Sequence, residues 1–222
     1  TLGYQAATAL VSGTSNTIVG ARAFYAADGS ETNSTIIGTD AGNAINHDDT
    51  DGNVIIGNDA ATGGAAELIG CVAIGYNAMN STAGNAKTGI VAIGKDALTA
   101  LTTGAGNTAV GFQSMDATDD GSYNTAVGYT SLSSVNGADN NSNTAIGYNS
   151  GDVITTGTNN TCIGANTDPS ANSGANQTVI GSGATGVGDN SVTLGNDAVL
   201  NVYAAQDGAA HIHCSGVSFP AT

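Results

Sequence analysis

A Thr or Val, then an Ile, Ala, Cys, Val or Thr, and then an aliphatic side chain stand directly before a glycine eleven times along this chain. The aliphatics are Val19, Ile37, Ile56, Ile74, Ile93, Val110, Val127, Ile146, Ile163, Ile180 and Leu194. Counting from Gly20 to Gly195, the successive glycines lie 18, 19, 18, 19, 17, 17, 19, 17, 17 and 14 residues apart. With the glycine as position zero, position −3 is always Thr or Val. Position −2 is Ile three times, then alanine at Ala73, Ala92, Ala109, Ala126 and Ala145, then Cys162, Val179 and Thr193. The phrase is cleanest as Asn-Thr-Ala-Val-Gly at 107–111 and 124–128. A fixed period of this length is the mark of a solenoid, in which each repeat makes one coil.

Three residues of this kind predict a short strand. Side chains alternate along a strand, so −3 and −1 share one face and −2 takes the other. Both faces carry apolar or small residues, which predicts a strand covered on both sides. The expectation is that the −1 aliphatics form the coil core. The alanines at −2 are then expected to face a partner surface, most simply another copy of the chain.

The glycine suits a kink or a positive φ where a side chain would clash. A corner follows it, as in Tyr76-Asn77-Ala78-Met79 or Phe112-Gln113-Ser114-Met115, with the +4 residue expected to plug the core. Asn at −4 in six coils predicts a stacked side-chain ladder. Loops rich in Gly, Asn, Asp, Ser and Thr absorb the variation in period, because strands must stack and loops need not. No 3.6-residue apolar stripe supports helix. The fold class expected is therefore all-β: a parallel β-solenoid of about twelve coils, counting a partial first one, and about 55–60 Å long.

Residues 1–200 are assigned to the repeat, which begins in mid-coil, and 201–222 to a C-terminal transition whose strands lead toward a region absent from this sequence.

Composition sharpens this picture in three ways. No Trp and three Phe among 222 residues mean a narrow core. A net charge of −15 argues against a phosphate backbone or an anionic membrane as partner. No apolar run approaches the roughly 20 residues of a membrane helix, so no membrane insertion is expected. Three cysteines do not make a disulfide framework, and Cys71 and Cys162 read as small buried hydrophobes.

The phrase Asn-Thr-Ala-Ile-Gly-Tyr-Asn-Ser at 143–150 resembles the head repeat of trimeric autotransporter adhesins, the YadA-like head. The likeness runs from Gly3 to about Leu200. It implies a left-handed β-roll and an intertwined homotrimer, two further copies of the chain being the partners, with the small −2 residues Ala73, Ala92, Ala109, Ala126 and Ala145 toward the shared axis. Those heads often repeat at 14 residues, a step found here only at the end. The longer form Thr-Thr-Gly-Ala-Gly-Asn-Thr-Ala-Val-Gly at 102–111 looks like repeats of phage tail-fibre and virion-appendage proteins. The function expected from these likenesses is an extracellular, non-enzymatic shaft or receptor-contacting segment of a virion appendage. Its further partner would be a host-surface glycan or protein. The alternative is a bacterial cell-surface adhesin head; a remoter one is an ice-binding solenoid, suggested by the Thr rank at −3.

No cofactor is expected to be required. His211 and His213 would share a strand face, and in a trimer six imidazoles could hold iron or another transition metal. The competing reading is a solvated histidine pair. Asp49 and Asp51 have the flavour of a calcium loop, although the full twelve-residue pattern is missing and a polar turn reads as well. Catalysis finds no foothold: the repeats contain one histidine, His47, and no nucleophile elbow or phosphate loop.

Overall fold

The computed structural model describes residues 2–27, 29–63, 67–81, 86–136 and 142–202. All of its regular structure is β, as the repeat predicts. One parallel sheet of eleven strands runs the length of the molecule, its strands stacked in sequence order apart from two short intervening strands. Its rungs begin with Thr17–Val19, Thr35–Ile37 and Val54–Ile56 and end with Gln177–Ile180 and Ser191–Leu194. Leu2 adds a single bridge to Val19, at the place of the partial first coil. At about 4.8 Å per rung the sheet is about 48 Å long. The two short strands, Leu68–Ile69 and Lys87–Thr88, pair on another side of the coil.

Register is kept position by position. Thr108 pairs with Thr125, Ala109 with Ala126 and Val110 with Val127, and the same alignment holds along the stack. The repeat glycine enforces it. Gly111 and Gly128 both have φ near +143°, and a Cβ on Gly128 would sit 2.2 Å from the carbonyl oxygen of Gly147. Only glycine lets successive corners approach this closely.

The asparagine ladder forms as expected. The Asn124 amide N–H donates to Asn107 Oδ1 at 2.9 Å, that of Asn143 to Asn124 Oδ1 at 2.9 Å, and that of Asn160 to Asn143 Oδ1 at 3.0 Å. Each side chain also reaches the next loop: Asn107 Nδ2 donates to Gly121 O at 2.6 Å and Asn143 Nδ2 to Gly157 O at 2.8 Å. These amides are buried and replace backbone pairing at a corner where the strand has not yet begun.

The corner after the glycine contains left-handed residues at both +2 and +4, as at Asn77 and Met79, Asp96 and Leu98, and Thr130 and Leu132. The +4 side chains Met79, Leu98, Met115 and Leu132 turn inward and are fully buried, so the predicted plug is present. Cys71 and Cys162 are free and buried, again as expected. A further left-handed column occupies −5, where Gly52, Gly70, Gly89, Gly106, Asn159, Asn176 and Tyr123 all have φ between 53° and 68°.

Tyr123 is the costly member of that column, being bulky, 66% exposed and held at φ 59°. Exchanging it for Asn, which tolerates this region, should stabilise the chain by about 1 kcal/mol. The midpoint of thermal unfolding should then rise by about 2–4 °C. An unchanged or lower midpoint would mean that the ring's packing over Gly106 outweighs the backbone strain.

One expectation is reversed. The likeness to adhesin heads implies that Ala73, Ala92, Ala109, Ala126 and Ala145 face a trimer axis, yet they are wholly buried inside a single chain. The repeat pattern puts Val19, Ile37, Ile56, Ile74, Ile93, Val110, Val127, Ile146, Ile163 and Ile180 in the coil core, yet none is buried and several are more than a third exposed. The strand is turned over: −2 faces in, and −3 and −1 face out.

Volume explains the choice. Ile36 and Ile55 at −2 accompany the small Gly42 and Ala61 at +4. The alanines 73, 92, 109 and 126 accompany Met79, Leu98, Met115 and Leu132. In these six coils a large residue on one side is matched by a small one on the other, which fills a narrow interior shared by −2 and +4. The Gly20 coil instead buries both Ile18 and Phe24, and the Gly147 coil pairs the small Ala145 with Gly151.

Candidate self-association face

The outward side of the eleven-stranded sheet presents two parallel columns. At −3 stand Thr17, Thr35, Val54, Val72, Val91, Thr108, Thr125, Thr144, Thr161 and Thr178, all partly or fully accessible. At −1 stand the aliphatics, of which Ile146 is 41% exposed and Leu194 48%. Because every rung is in register, the aliphatics form one unbroken stripe rather than scattered patches. A contiguous apolar strip of this length on an acidic chain is uncommon for a surface left in water. The strip carries no charged side chain in either column.

A third column flanks it one position past the glycine. Phe112 stacks on Tyr129 with centroids 5.0 Å apart, and Tyr129 on Tyr148 at 5.5 Å. The Lys95 ammonium lies 5.7 Å from the Tyr76 ring and 5.1 Å from that of Phe112, and it pairs with Asp96 at 2.5 Å. The rings cover one another's faces, so this ladder presents edges and hydroxyls. Its existence follows from in-register stacking of position +1, a column that reading the repeat for its strand alone does not single out.

His211 and His213 lie outside the described residues. Asp51 Oδ1 accepts from Thr32 Oγ1 at 2.9 Å and Asn33 Nδ2 at 2.8 Å, and these bonds hold its carboxyl below the usual range. The Asp49 amide donates to His47 Nδ1 at 3.3 Å. Among the described residues no group of three or more His, Cys, Asp or Glu is placed to hold a metal ion.

Lys87 is the unexpected buried cation, its Nζ donating to Thr102 O at 3.0 Å and its pKa pushed down to about 8 by burial. A cavity of about 540 Å³ at the last coil is lined by Gly183, Thr185, Val187, Thr193 and 195–198. Among the described residues no helix is long and apolar enough to cross a membrane. No protein-family model matches the chain, and no curated protein or solved structure is significantly similar to it.

Proposed function

We propose that this chain is a segment of a non-enzymatic, homotrimeric fibre, with three copies meeting through the outward −3 and −1 columns. The observation that carries the reading is the unbroken aliphatic stripe, partly exposed in a lone chain over eleven rungs. Burying a Val or Ile side chain is worth about 1.5–3 kcal/mol, so a stripe of this length offers ample free energy for association even after the entropic cost of bringing chains together. The partner face shares the repeat distance, and the chain itself is the surface that matches it rung for rung. The likeness to YadA-like heads supports three copies and a left-handed coil. The longer loop form favours a phage tail fibre or virion appendage that mediates host attachment, ahead of a bacterial adhesin head.

The function is mechanical. Parallel rungs, corner glycines and buried asparagines give a stiff rod, while the polar loops face away from the stripe and are free to vary for contact with a receptor. Light scattering on the purified chain at micromolar concentration should return three times 21.5 kDa. A mass of 21.5 kDa would remove the fibre reading.

The same exposure favours one second reading. A regular outward array of Thr beside Val or Ile is also what an ice-binding surface would need, and that use requires the face to stay open. Thermal hysteresis measured on the same sample separates the two: a trimer without hysteresis leaves the fibre alone, whereas a monomer with hysteresis replaces it.

A further inference from the structure

We propose that Tyr148, Ala165 and Asn166 form a shelf for a neutral sugar ring, which stacks on the open face of Tyr148 and accepts a hydrogen bond from Asn166. Two columns that run side by side along the coils both stop at this rung. In the +1 column the rings of Phe112, Tyr129 and Tyr148 follow one another at 5.0 and 5.5 Å. The next two members are Ala165 and Ser182, and neither side chain can cover a ring. One face of Tyr148, a half-exposed side chain, is therefore left open over the Ala165 rung.

The +2 column is a chain of hydrogen bonds. Thr130 Oγ1 donates to Asn149 Oδ1, and Asn149 Nδ2 donates to Asn166 Oδ1 at 3.4 Å. Asn166 Nδ2 ends the chain, exposed and donating to no group among the described residues. The Asn166 backbone amide donates to Tyr148 O at 2.8 Å, which keeps the spare donor beside the open ring face. A side-chain amide whose oxygen is already engaged has two N–H donors left to offer.

A ring placed over Ala165 lies one rung, or about 4.8 Å, from Tyr148, which is the spacing of the ladder itself. The occupant is therefore one ring thick, apolar on the face toward Tyr148 and rich in acceptors at its rim. A pyranose has this form: its weakly positive C–H groups meet the negative face of the tyrosine, and its hydroxyls line the edge. Charge removes the competitors. The three basic side chains all precede Gly111, and Lys95 stands four rungs away, about 19 Å, so nothing here neutralises a phosphate, sialate or uronate on a chain of net charge −15. A cation also stacks on tyrosine, as Lys95 does on Tyr76, but it offers Asn166 no acceptor. The shelf lies beside the −3 and −1 columns and within a single chain. For its use it rests on the fibre reading, whose receptor class it names; the binding itself needs no trimer.

Saturation-transfer NMR on the purified chain tests this with the methyl glycosides of glucose, galactose, mannose and N-acetylglucosamine. At least one should receive saturation at its ring C–H protons. Tyr148→Ala should weaken that binding about tenfold, and so should Asn166→Gly, which keeps the left-handed backbone at φ 51° and removes the donor. Ala165→Tyr sets the ladder's own next ring on the shelf and should abolish binding, whereas Tyr76→Ala, four rungs away, should leave it unchanged. Three results overturn the proposal: no transfer to any of the four glycosides, binding that survives Ala165→Tyr, or tighter binding of N-acetylneuraminic acid or arginine methyl ester than of every neutral sugar. Light scattering on the same samples separates this from the fibre reading. A trimer that binds no sugar loses the shelf alone, and a monomer that binds one keeps the shelf and loses the fibre.

Discussion

Gly128→Ala should unfold the roll or split it, with a loss above about 4 kcal/mol. Two costs add. The backbone at Gly128 has φ +143°, a region essentially reserved for glycine and worth about 1–3 kcal/mol when another residue is forced there. The new methyl would also lie 2.2 Å from Gly147 O and 2.6 Å from its carbonyl carbon, both backbone atoms held by the next rung. Relief requires the two rungs to move apart, which breaks the bond from the Gly147 amide to Val127 O at 2.8 Å and disturbs the asparagine pair below it.

A solenoid holds together through nearest-neighbour contacts, so one failed junction uncouples everything on either side. Gly52 supplies the control: it has φ +68° and nothing within 4 Å of an added Cβ. Gly52→Asn should cost under about 1 kcal/mol. Urea unfolding followed by circular dichroism reads both, and a Gly128→Ala midpoint equal to that of the parent would refute the packing account.

The second large effect concerns the two faces of the rung. Replacing Val127 and Ile146 together by Asp should weaken association more than about a thousandfold and leave the coil folded. Each change would remove about 1.5–3 kcal/mol of burial in the proposed assembly and set carboxylates one rung apart on a chain that already carries a net charge of −15. The lone chain loses little, since Ile146 is 41% exposed there. Ala126→Asp should do the reverse. Its side chain has no exposure within the single coil, so a carboxylate there has neither water nor a cation and the chain should not fold. Light scattering and circular dichroism on both variants distinguish the outcomes. A double variant that remains trimeric would move the interface elsewhere, and a folded Ala126→Asp would contradict the inward orientation.

Much of the candidate site is legible in the amino-acid sequence. Its residues are the −3 and −1 columns, and strand alternation correctly groups them on one face. What alternation cannot say is which face closes the coil, because a period of two is unchanged when the strand is turned over. A signal for the answer lies in the exchange of Ile55 with Ala61 for Ala73 with Met79. It becomes readable once −2 and +4 are known to touch. The aromatic ladder is hidden for a related reason: Tyr76, Phe112, Tyr129 and Tyr148, interrupted by Lys95, stand far apart in the sequence and become a column only when coils stack in register.

By itself the sequence determined the period, the rungs, the need for glycine at zero, the asparagine ladder and the inward +4 plug, since each follows from local geometry repeated at a fixed interval. Only the tertiary structure decided the orientation of the rung and the burial of Lys87. The chain turns at glycine φ near +140° and again at left-handed residues −5, +2 and +4, most of which are not glycine. Those turns, repeated from coil to coil, enclose the side on which −2 and +4 can fill the interior together.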